Sequence, residues 1–108
     1  MENQHKKIKG YRELNQAEID LMNEIKEAGE KLLSLHESLV ARLNTDAEVK
    51  TAAAEKSKLA PNDYGSDECA ELSRFTKAEP HRWAAIGKTN IQQGVMAMVR
   101  AVAQSTNY

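Results

Sequence analysis

The side chains best suited to chemistry in this sequence are cations and aromatic rings, which together can bind an anion that carries flat bases. Lys26 lies beside an apolar stripe, so its stem can pack on apolar surface while its ammonium reaches the edge of a groove. Tyr11 can stack on a base, a contact worth about 1–3 kcal/mol. Arg82, Lys88 and Thr89 cluster near the start of the last predicted helix, where they can hold a phosphate.

Each of these side chains also has a purely structural interpretation. Lys26 can pair with Glu30 one turn along the same helix, which is worth only tenths of a kcal/mol. Tyr11 can cover the start of the first helix as a hydrophobic staple. Arg82 can form a surface ion pair with Glu79, three residues before it. The residues alone leave both interpretations open.

Metal and catalytic sites have little support in the sequence. His5, His36 and His81 are scattered and Cys69 stands alone, so no spacing typical of metal ligands occurs. His36 lies beside the apolar stripe, which favours a packed or interfacial histidine. Residues 87–89 read Gly-Lys-Thr like the end of a P-loop, but the preceding glycine of that motif and its strand are missing. We therefore predict no metal, no cofactor and no enzymatic activity.

Composition narrows the class of protein further. A chain of 108 residues predicts a single domain over residues 1–108. One cysteine is typical of a reducing compartment. A formal net charge of −1 argues against a DNA-binding protein. The sequence contains no apolar run long enough to cross a membrane and no signal peptide, so we expect no membrane partner.

A seven-residue apolar repeat predicts a long first helix over about residues 16–44. Asn15 and Glu18 form a capping-box pattern at its start. Residues 46–59 are good helix formers with a weak apolar face, and we expect a helical extension there. The repeat itself consists of Leu21, Ile25, Ala28, Leu32, Leu35 and Leu39.

The second half of the chain predicts a return helix. Residues 60–65 have the composition of a turn, where we place the hairpin reversal. Ser66 can cap a short helical stretch, and Pro80 suits the first turn of a final helix over about residues 80–104. Trp83 is expected to be an anchor in the core or at an interface. The predicted fold is all-α, an antiparallel hairpin of two long helices with a short N-terminal element.

Small residues mark one face of the final helix. Gly87 and Gly94 lie on this face, and glycine costs about 1 kcal/mol in a helix relative to alanine, so we expect another backbone to approach there. Two helices bury too little apolar surface alone, which favours a symmetric homo-oligomeric bundle. The full set of small residues on this face is Gly87, Asn90, Gly94, Ala97 and Ala101.

Two blocks of the sequence resemble the anti-CBASS cyclic-nucleotide sponge family of tailed bacteriophages. The first block runs over residues 9–14 and continues through residues 18–26. The second block begins at residues 79–83 (Glu-Pro-His-Arg-Trp) and includes residues 86–89 (Ile-Gly-Lys-Thr). It then includes Gln92-Gln93-Gly94, Met96-Ala97 and residues 100–104. Together the blocks cover about half of the chain.

The resemblance implies a non-enzymatic protein that assembles as a homohexamer of helical hairpins. Such a protein would capture cyclic oligonucleotide second messengers in the cytoplasm of the bacterial host. Cyclic dinucleotides such as 3′,3′-cyclic GMP-AMP would lie in pockets shared by two protomers. By resemblance, Tyr11 would stack on a base, Lys26 would pair with a phosphate, and Gly10 and Arg12 would belong to the same site.

The resemblance also implies a second kind of site, for cyclic trinucleotides such as cyclic tri-AMP. We assign Arg82, Lys88 and Thr89 to that site, because basic and hydroxyl side chains meet the phosphates there. The expected function is that of a phage anti-defence protein, which binds these messengers without cleaving them and prevents activation of CBASS effectors. The alternative is a small helical oligomeric adaptor whose apolar stripes bind a partner protein.

Overall fold

Helix α1 is longer than the sequence predicts. In the computed structural model, which describes residues 12–58 and 66–106, it runs without a break over Gln16–Lys58. The expected extension therefore continues the same helix well past residue 44. Lys56 and Lys58 lie in its last turn, where cations favour the negative end of the helix dipole. The predicted turn at residues 60–65 lies outside the described residues.

The capping box predicted at the start of α1 is confirmed. The Asn15 side-chain oxygen accepts from the Glu18 backbone N–H at 2.8 Å, and the Glu18 carboxylate accepts from the Asn15 backbone N–H at 3.0 Å. Each residue thereby satisfies a donor that the helix itself leaves unpaired. These paired bonds fix where α1 begins.

Helix α2 spans Asp67–Ala78 and begins at the predicted cap. The Ser66 hydroxyl accepts from the backbone N–H of Cys69 at 3.1 Å. The helix ends at Glu79, whose φ of 50° is left-handed, and the Glu79 N–H donates to the Thr76 carbonyl at 3.1 Å. A left-handed residue at this position reverses the chain after a helix and is usually glycine.

Helix α3 spans Pro80–Ala103, so Pro80 occupies the first helical position as predicted. It ends one residue before the predicted boundary, because Gln104 adopts a left-handed φ of 54°. All regular elements of the described residues are helices, which confirms the all-α prediction. None of these helices has a stretch long and apolar enough to cross a membrane.

Backbone contacts divide the described residues into two units, and α1 and α3 contribute to both. The first unit joins residues 12–34 to residues 89–106, and the second contains residues 35–58 and 66–88. The prediction of one domain over residues 1–108 stays a prediction. Each unit pairs α1 with a returning helix.

In the first unit, α1 and α3 run antiparallel and are in close contact at Gly29. A methyl group added to Gly29 would lie 2.5 Å from Cγ2 of Val95, closer than real contacts allow. Glycine is therefore required at this point so that the two helices can touch. The predicted approach of another backbone at Gly87 and Gly94 does not come from this chain's own helices, because a methyl group at either position would meet nothing within 4 Å.

In the second unit, α2 packs against the last turns of α1. Ala54 is 1 % exposed there, and Ser57 and Ser66 share a hydrogen bond of 2.8 Å between their hydroxyls. Lys50 on α1 forms an ion pair of 3.0 Å with Glu71 on α2. The Asn44 side-chain oxygen lies 2.9 Å from Nε2 of His81 at the start of α3.

Gly29→Ala is expected to destabilise the protein by about 1–3 kcal/mol, because the new methyl group overlaps a stiff, branched valine. Thermal unfolding followed by circular dichroism measures the change. The controls are Val95→Ala alone and the double variant Gly29→Ala/Val95→Ala. Removal of Cγ2 of Val95 relieves the overlap, so Gly29→Ala should cost less in the double variant. If the two substitutions prove additive, the contact between these residues is not the reason for the glycine.

Glu71 is expected to make stability depend on acid pH. Hydrogen bonds from Arg74 and Lys50 lower the pKa of Glu71 from 4.5 to about 2. Since the folded-state pKa lies below the unfolded one, the contribution is complete above about pH 4.5 and is lost as pH falls toward 2. Urea unfolding at a series of pH values should show a steeper loss for the wild type than for Glu71→Gln. Glu68→Gln, which removes another carboxylate from α2, should behave like the wild type.

Candidate functional site

Lys26 lies in a groove between α1 and α3 in the first unit. The groove has a volume of about 460 Å³. Lys26 is exposed and forms no ion pair with another described residue, so the interpretation as a partner of Glu30 is not supported. An unpaired ammonium at the edge of an apolar floor suits an anion with a flat aromatic part. The groove is lined by Lys26, Gly29, Glu30, Leu33, Gln92, Val95 and Met96.

A second groove lies on the other side of the contact between Gly29 and Val95, which line both grooves. Its volume is about 440 Å³ and its lining is mainly apolar. Leu32 is 48 % exposed and Met98 is 51 % exposed there, although both are large apolar side chains. Exposed apolar side chains in a concave surface are typical of a protein contact.

Arg12 makes four hydrogen bonds to other parts of the first unit. Its Nε and Nη2 donate to the carbonyls of Ala103 and Val102 at 3.1 and 2.9 Å. Its Nη1 and Nη2 also donate to the Glu18 carboxylate, at 3.3 and 2.5 Å. The hydrogen bond between the two side chains raises the pKa of Arg12 and lowers the pKa of Glu18. Arg12 thus ties the stretch before α1 to the end of α3.

Two residues of the predicted dinucleotide site, Gly10 and Tyr11, lie outside the described residues. The structure brings the other two residues of that site, Arg12 and Lys26, into the same unit. Only Lys26 among these two has its polar group free for a ligand.

Arg82, predicted for the trinucleotide site, lies on an exposed turn of α3 in the second unit. Its guanidinium stacks over the ring of Trp83, 5.1 Å from the centroid, and its Nη1 is 3.9 Å from the Glu79 carboxylate. The long distance to Glu79 makes the alternative ion pair weak. Trp83 is 59 % exposed, so it is not a core residue.

Lys88 and Thr89 are also exposed on α3. Lys88 belongs to the second unit and Thr89 to the first. Neither forms a hydrogen bond or ion pair with another described residue, so their polar groups are open to solvent.

The sequence of this chain matches the model of a known protein family. A family model described as "Acb2/Tad1, hairpin domain" matches residues 3–103. The chain belongs to this family. Its members' hairpin domain agrees with the predicted fold of two long helices, which is therefore confirmed. The resemblance inferred from the sequence blocks is confirmed as well.

One relative of this chain is "Anti-CBASS protein 2" of Pseudomonas phage JBD67. It is 64 % identical to this chain over 104 residues, which cover 96 % of each protein. The similarity therefore extends over nearly the whole length of both chains.

Three features of this hairpin were missed by sequence reasoning. The first is Gly29, the glycine at the close contact between α1 and α3. Its position four residues after Ile25 of the apolar repeat was the sequence feature that could have identified it. Gln92 and Met96 line the Lys26 groove, and both lie inside the resemblance blocks without any role assigned to them. No local pattern distinguishes these residues, because their function depends on the pairing of α1 with α3.

No set of three His, Cys, Asp or Glu side chains within the described ranges, 12–58 and 66–106, is arranged to hold a metal ion. His36 has a buried Nε2 that lacks a hydrogen-bond partner among those residues. The burial of this nitrogen agrees with the prediction that His36 packs beside the apolar stripe.

Proposed function

We propose that this protein sequesters cyclic di- and trinucleotide second messengers without cleaving them, in the cytoplasm of a phage-infected bacterium. Removal of free messenger would prevent activation of CBASS effectors. The observation that carries this proposal is the near-full-length match to a phage protein named for its opposition to CBASS. The free ammonium of Lys26 in an open groove supplies a chemical basis for it.

The Lys26 groove fits a cyclic dinucleotide in size and in chemistry. A volume of about 460 Å³ is in the range of pockets for small ligands, and the groove is open where a second chain can close it. Lys26 would pair with a phosphate while Leu33 and Met96 contact the sugar and base faces. A second protomer over the groove would exclude water and strengthen the charged contact.

Tyr11 and Gly10 complete the proposed dinucleotide site. Tyr11 would stack on a base, and Gly10 would let the backbone pass close to the ligand. Support for both residues comes from the sequence resemblance and from the family match over residues 3–103. Arg12 follows directly and is the described residue nearest to them in sequence.

For cyclic trinucleotides we propose contacts from Arg82, Lys88 and Thr89. Arg82 already lies over the ring of Trp83 and is exposed, so its guanidinium is accessible to a phosphate. Lys88 supplies a second positive charge and Thr89 a hydroxyl donor. Symmetry copies of these side chains would surround a ligand that itself has threefold symmetry.

The proposed mechanism is binding alone, with neither a cofactor nor catalysis. Sequestration requires affinity and copy number, and none of its steps forms or breaks a bond. The net charge of −1 argues for local recognition of small anions over binding of DNA. A phosphodiesterase would predict cleaved nucleotide after incubation, whereas a sponge returns its ligand intact on heating.

We further propose that the protein is a homohexamer. The large apolar side chains left exposed by the chain support this assembly, because contiguous apolar surface is normally covered by a partner. Those on α1 include Leu21, Leu32, Leu35 and Leu39, all members of the seven-residue repeat. The same observation favours the alternative function as a helical adaptor, in which a different protein covers the stripe.

Calorimetric titration with 3′,3′-cyclic GMP-AMP and cyclic tri-AMP tests the two sites. Lys26→Gln is expected to weaken dinucleotide binding by about 1.5–3 kcal/mol, roughly 10- to 100-fold, because it removes a charge-assisted bond. Tyr11→Ala should lose about 1–3 kcal/mol of stacking, whereas Tyr11→Phe retains the ring. Lys31→Gln, an exposed lysine of α1 outside the groove, is the control.

Several outcomes of this titration contradict the proposal. Equal losses for Lys31→Gln and Lys26→Gln would show a general charge effect and not a site. Binding without change in Tyr11→Ala and Lys26→Gln would overturn the residue assignment. If neither nucleotide binds to the wild type, or if the recovered ligand is cleaved, the sponge function is wrong.

Leu32→Gln is expected to weaken the oligomer, because burial of a leucine side chain at an interface is worth about 1.5–3 kcal/mol. Sedimentation velocity over a range of protein concentrations measures the assembly. Ile19→Gln is the control, since Ile19 is an exposed apolar residue of α1 outside the repeat. A wild-type protein that stays monomeric would contradict the assembly and favour the adaptor.

A further inference from the structure

A carboxylate lies in the groove that the proposed function assigns to an anion. Glu30 lines the same groove as Lys26, although its negative charge repels a phosphate. The two residues are four positions apart on α1, so their Cβ atoms lie about 5–6 Å from each other on one face of the helix. A groove proposed to bind an anion thus contains one charge of each sign.

Glu30 is not neutralised by the part of the chain that the structure describes. It is exposed and forms no hydrogen bond or ion pair with another described residue. Lys26 is likewise without an ion pair among these residues, including one to Glu30. Both charges therefore act on any ligand that enters the groove.

The opposite wall of the groove adds no charge. It is formed by α3 through Gln92, Val95 and Met96. Residues 89–99 of α3 contain no Asp, Glu, Lys, Arg or His. The lining of the groove therefore carries one positive charge, on Lys26, and one negative charge, on Glu30.

The charge of phosphate groups makes this balance selective. A phosphodiester carries one negative charge, whereas a terminal phosphate monoester carries about 1.5 to 2 at neutral pH. The ammonium of Lys26 can neutralise the single charge of a diester. The further charge of a monoester has no second cation in the lining of the groove and is repelled by Glu30.

We propose that Glu30 is a specificity-determining residue, which makes the Lys26 groove prefer the phosphodiesters of a cyclic dinucleotide over the phosphate monoesters of linear nucleotides. This inference rests on the proposed function, which assigns the Lys26 groove to a cyclic dinucleotide. Nucleoside triphosphates and opened dinucleotides both end in a phosphate that carries more than one charge. A sponge that rejects them keeps its sites free for the cyclic messenger.

The proposal is tested with two ligands that differ by about one charge. Hydrolysis of one phosphodiester of 3′,3′-cyclic GMP-AMP gives the linear dinucleotide pGpA, in which that diester has become a terminal monoester. Removal of the Glu30 charge is worth about two- to fivefold in Kd for each ligand charge close to it. Glu30→Gln is therefore expected to tighten binding of both ligands, and that of pGpA by a further factor of about two to five.

Calorimetric titration of the full chain at low salt measures the ratio of the two Kd values, after circular dichroism has shown that each variant is folded. Glu48→Gln is the matched control, since it removes an exposed carboxylate of α1 that does not line the groove. It is expected to leave the ratio at the wild-type value. Glu30→Lys, which reverses the charge, should lower the ratio further than Glu30→Gln does.

Salt provides a second readout of the same effect. The screening length falls to about 3 Å at 1 M salt, which is shorter than the separation of the charges. The difference in ratio between the wild type and Glu30→Gln should therefore largely disappear there. A difference that persists at 1 M salt would contradict an electrostatic role for Glu30.

The outcomes separate this inference from the proposed function. An unchanged ratio in Glu30→Gln, or an equal fall in Glu48→Gln, would overturn the inference while the wild type still binds the cyclic ligand. Weaker binding of the cyclic ligand by Glu30→Gln would also overturn it, and would show that the carboxylate accepts a hydrogen bond from the ligand. If the wild type binds neither ligand, the proposed function is wrong, and the inference is wrong with it.

Discussion

The fold is constrained by how little apolar surface its own helices bury. Among the described residues, the buried apolar side chains are only Ala54 and Ala84. Leucines of the seven-residue repeat remain about half exposed, because one returning helix covers only part of the stripe on α1. In the proposed assembly, further helices would supply most of the apolar burial, and the binding surfaces would follow from where those helices lie. The groove beside Lys26 is open for the same reason.

Since apolar burial is limited, the structure depends strongly on the hydrogen bonds at the helix ends, which fix where each helix begins and ends. The capping box at Asn15 and Glu18, the Ser66 cap and the left-handed residue Glu79 each set a boundary. The hydrogen bonds from Arg12 to the carbonyls of Val102 and Ala103 add long-range contacts to this local set. Such bonds contribute about 0.5–1.5 kcal/mol each, so they specify geometry more than they supply stability.

Sequence reasoning predicted the features that depend on local chemistry. The caps of α1 and α2, Pro80 at the start of α3 and the exposure of Lys26 all follow from a few neighbouring residues. Features that depend on how the helices pair were missed. The glycine at the contact between α1 and α3 is Gly29 and not Gly87, because an added methyl group would overlap Val95 only at Gly29. The hydrogen bonds of Arg12 to Val102 and Ala103 were missed because these residues are distant from it in sequence. The family match extends over residues 3–103, whereas the roles of Tyr11 and Lys26 stay predictions.

The contacts of Cys69 have a consequence for chemical labelling. Its thiol sits in the first turn of α2, 3.8 Å from the Ala54 carbonyl and 3.7 Å from the Ser57 hydroxyl. The half-buried sulfur is less accessible to an alkylating reagent while that turn rests on α1. The chain has no other cysteine, so the rate of alkylation reports on a single position, at the contact between α2 and α1, and rises when α2 opens locally. This thiol is thus a native probe of the dynamics of the second unit, and no engineered label is required.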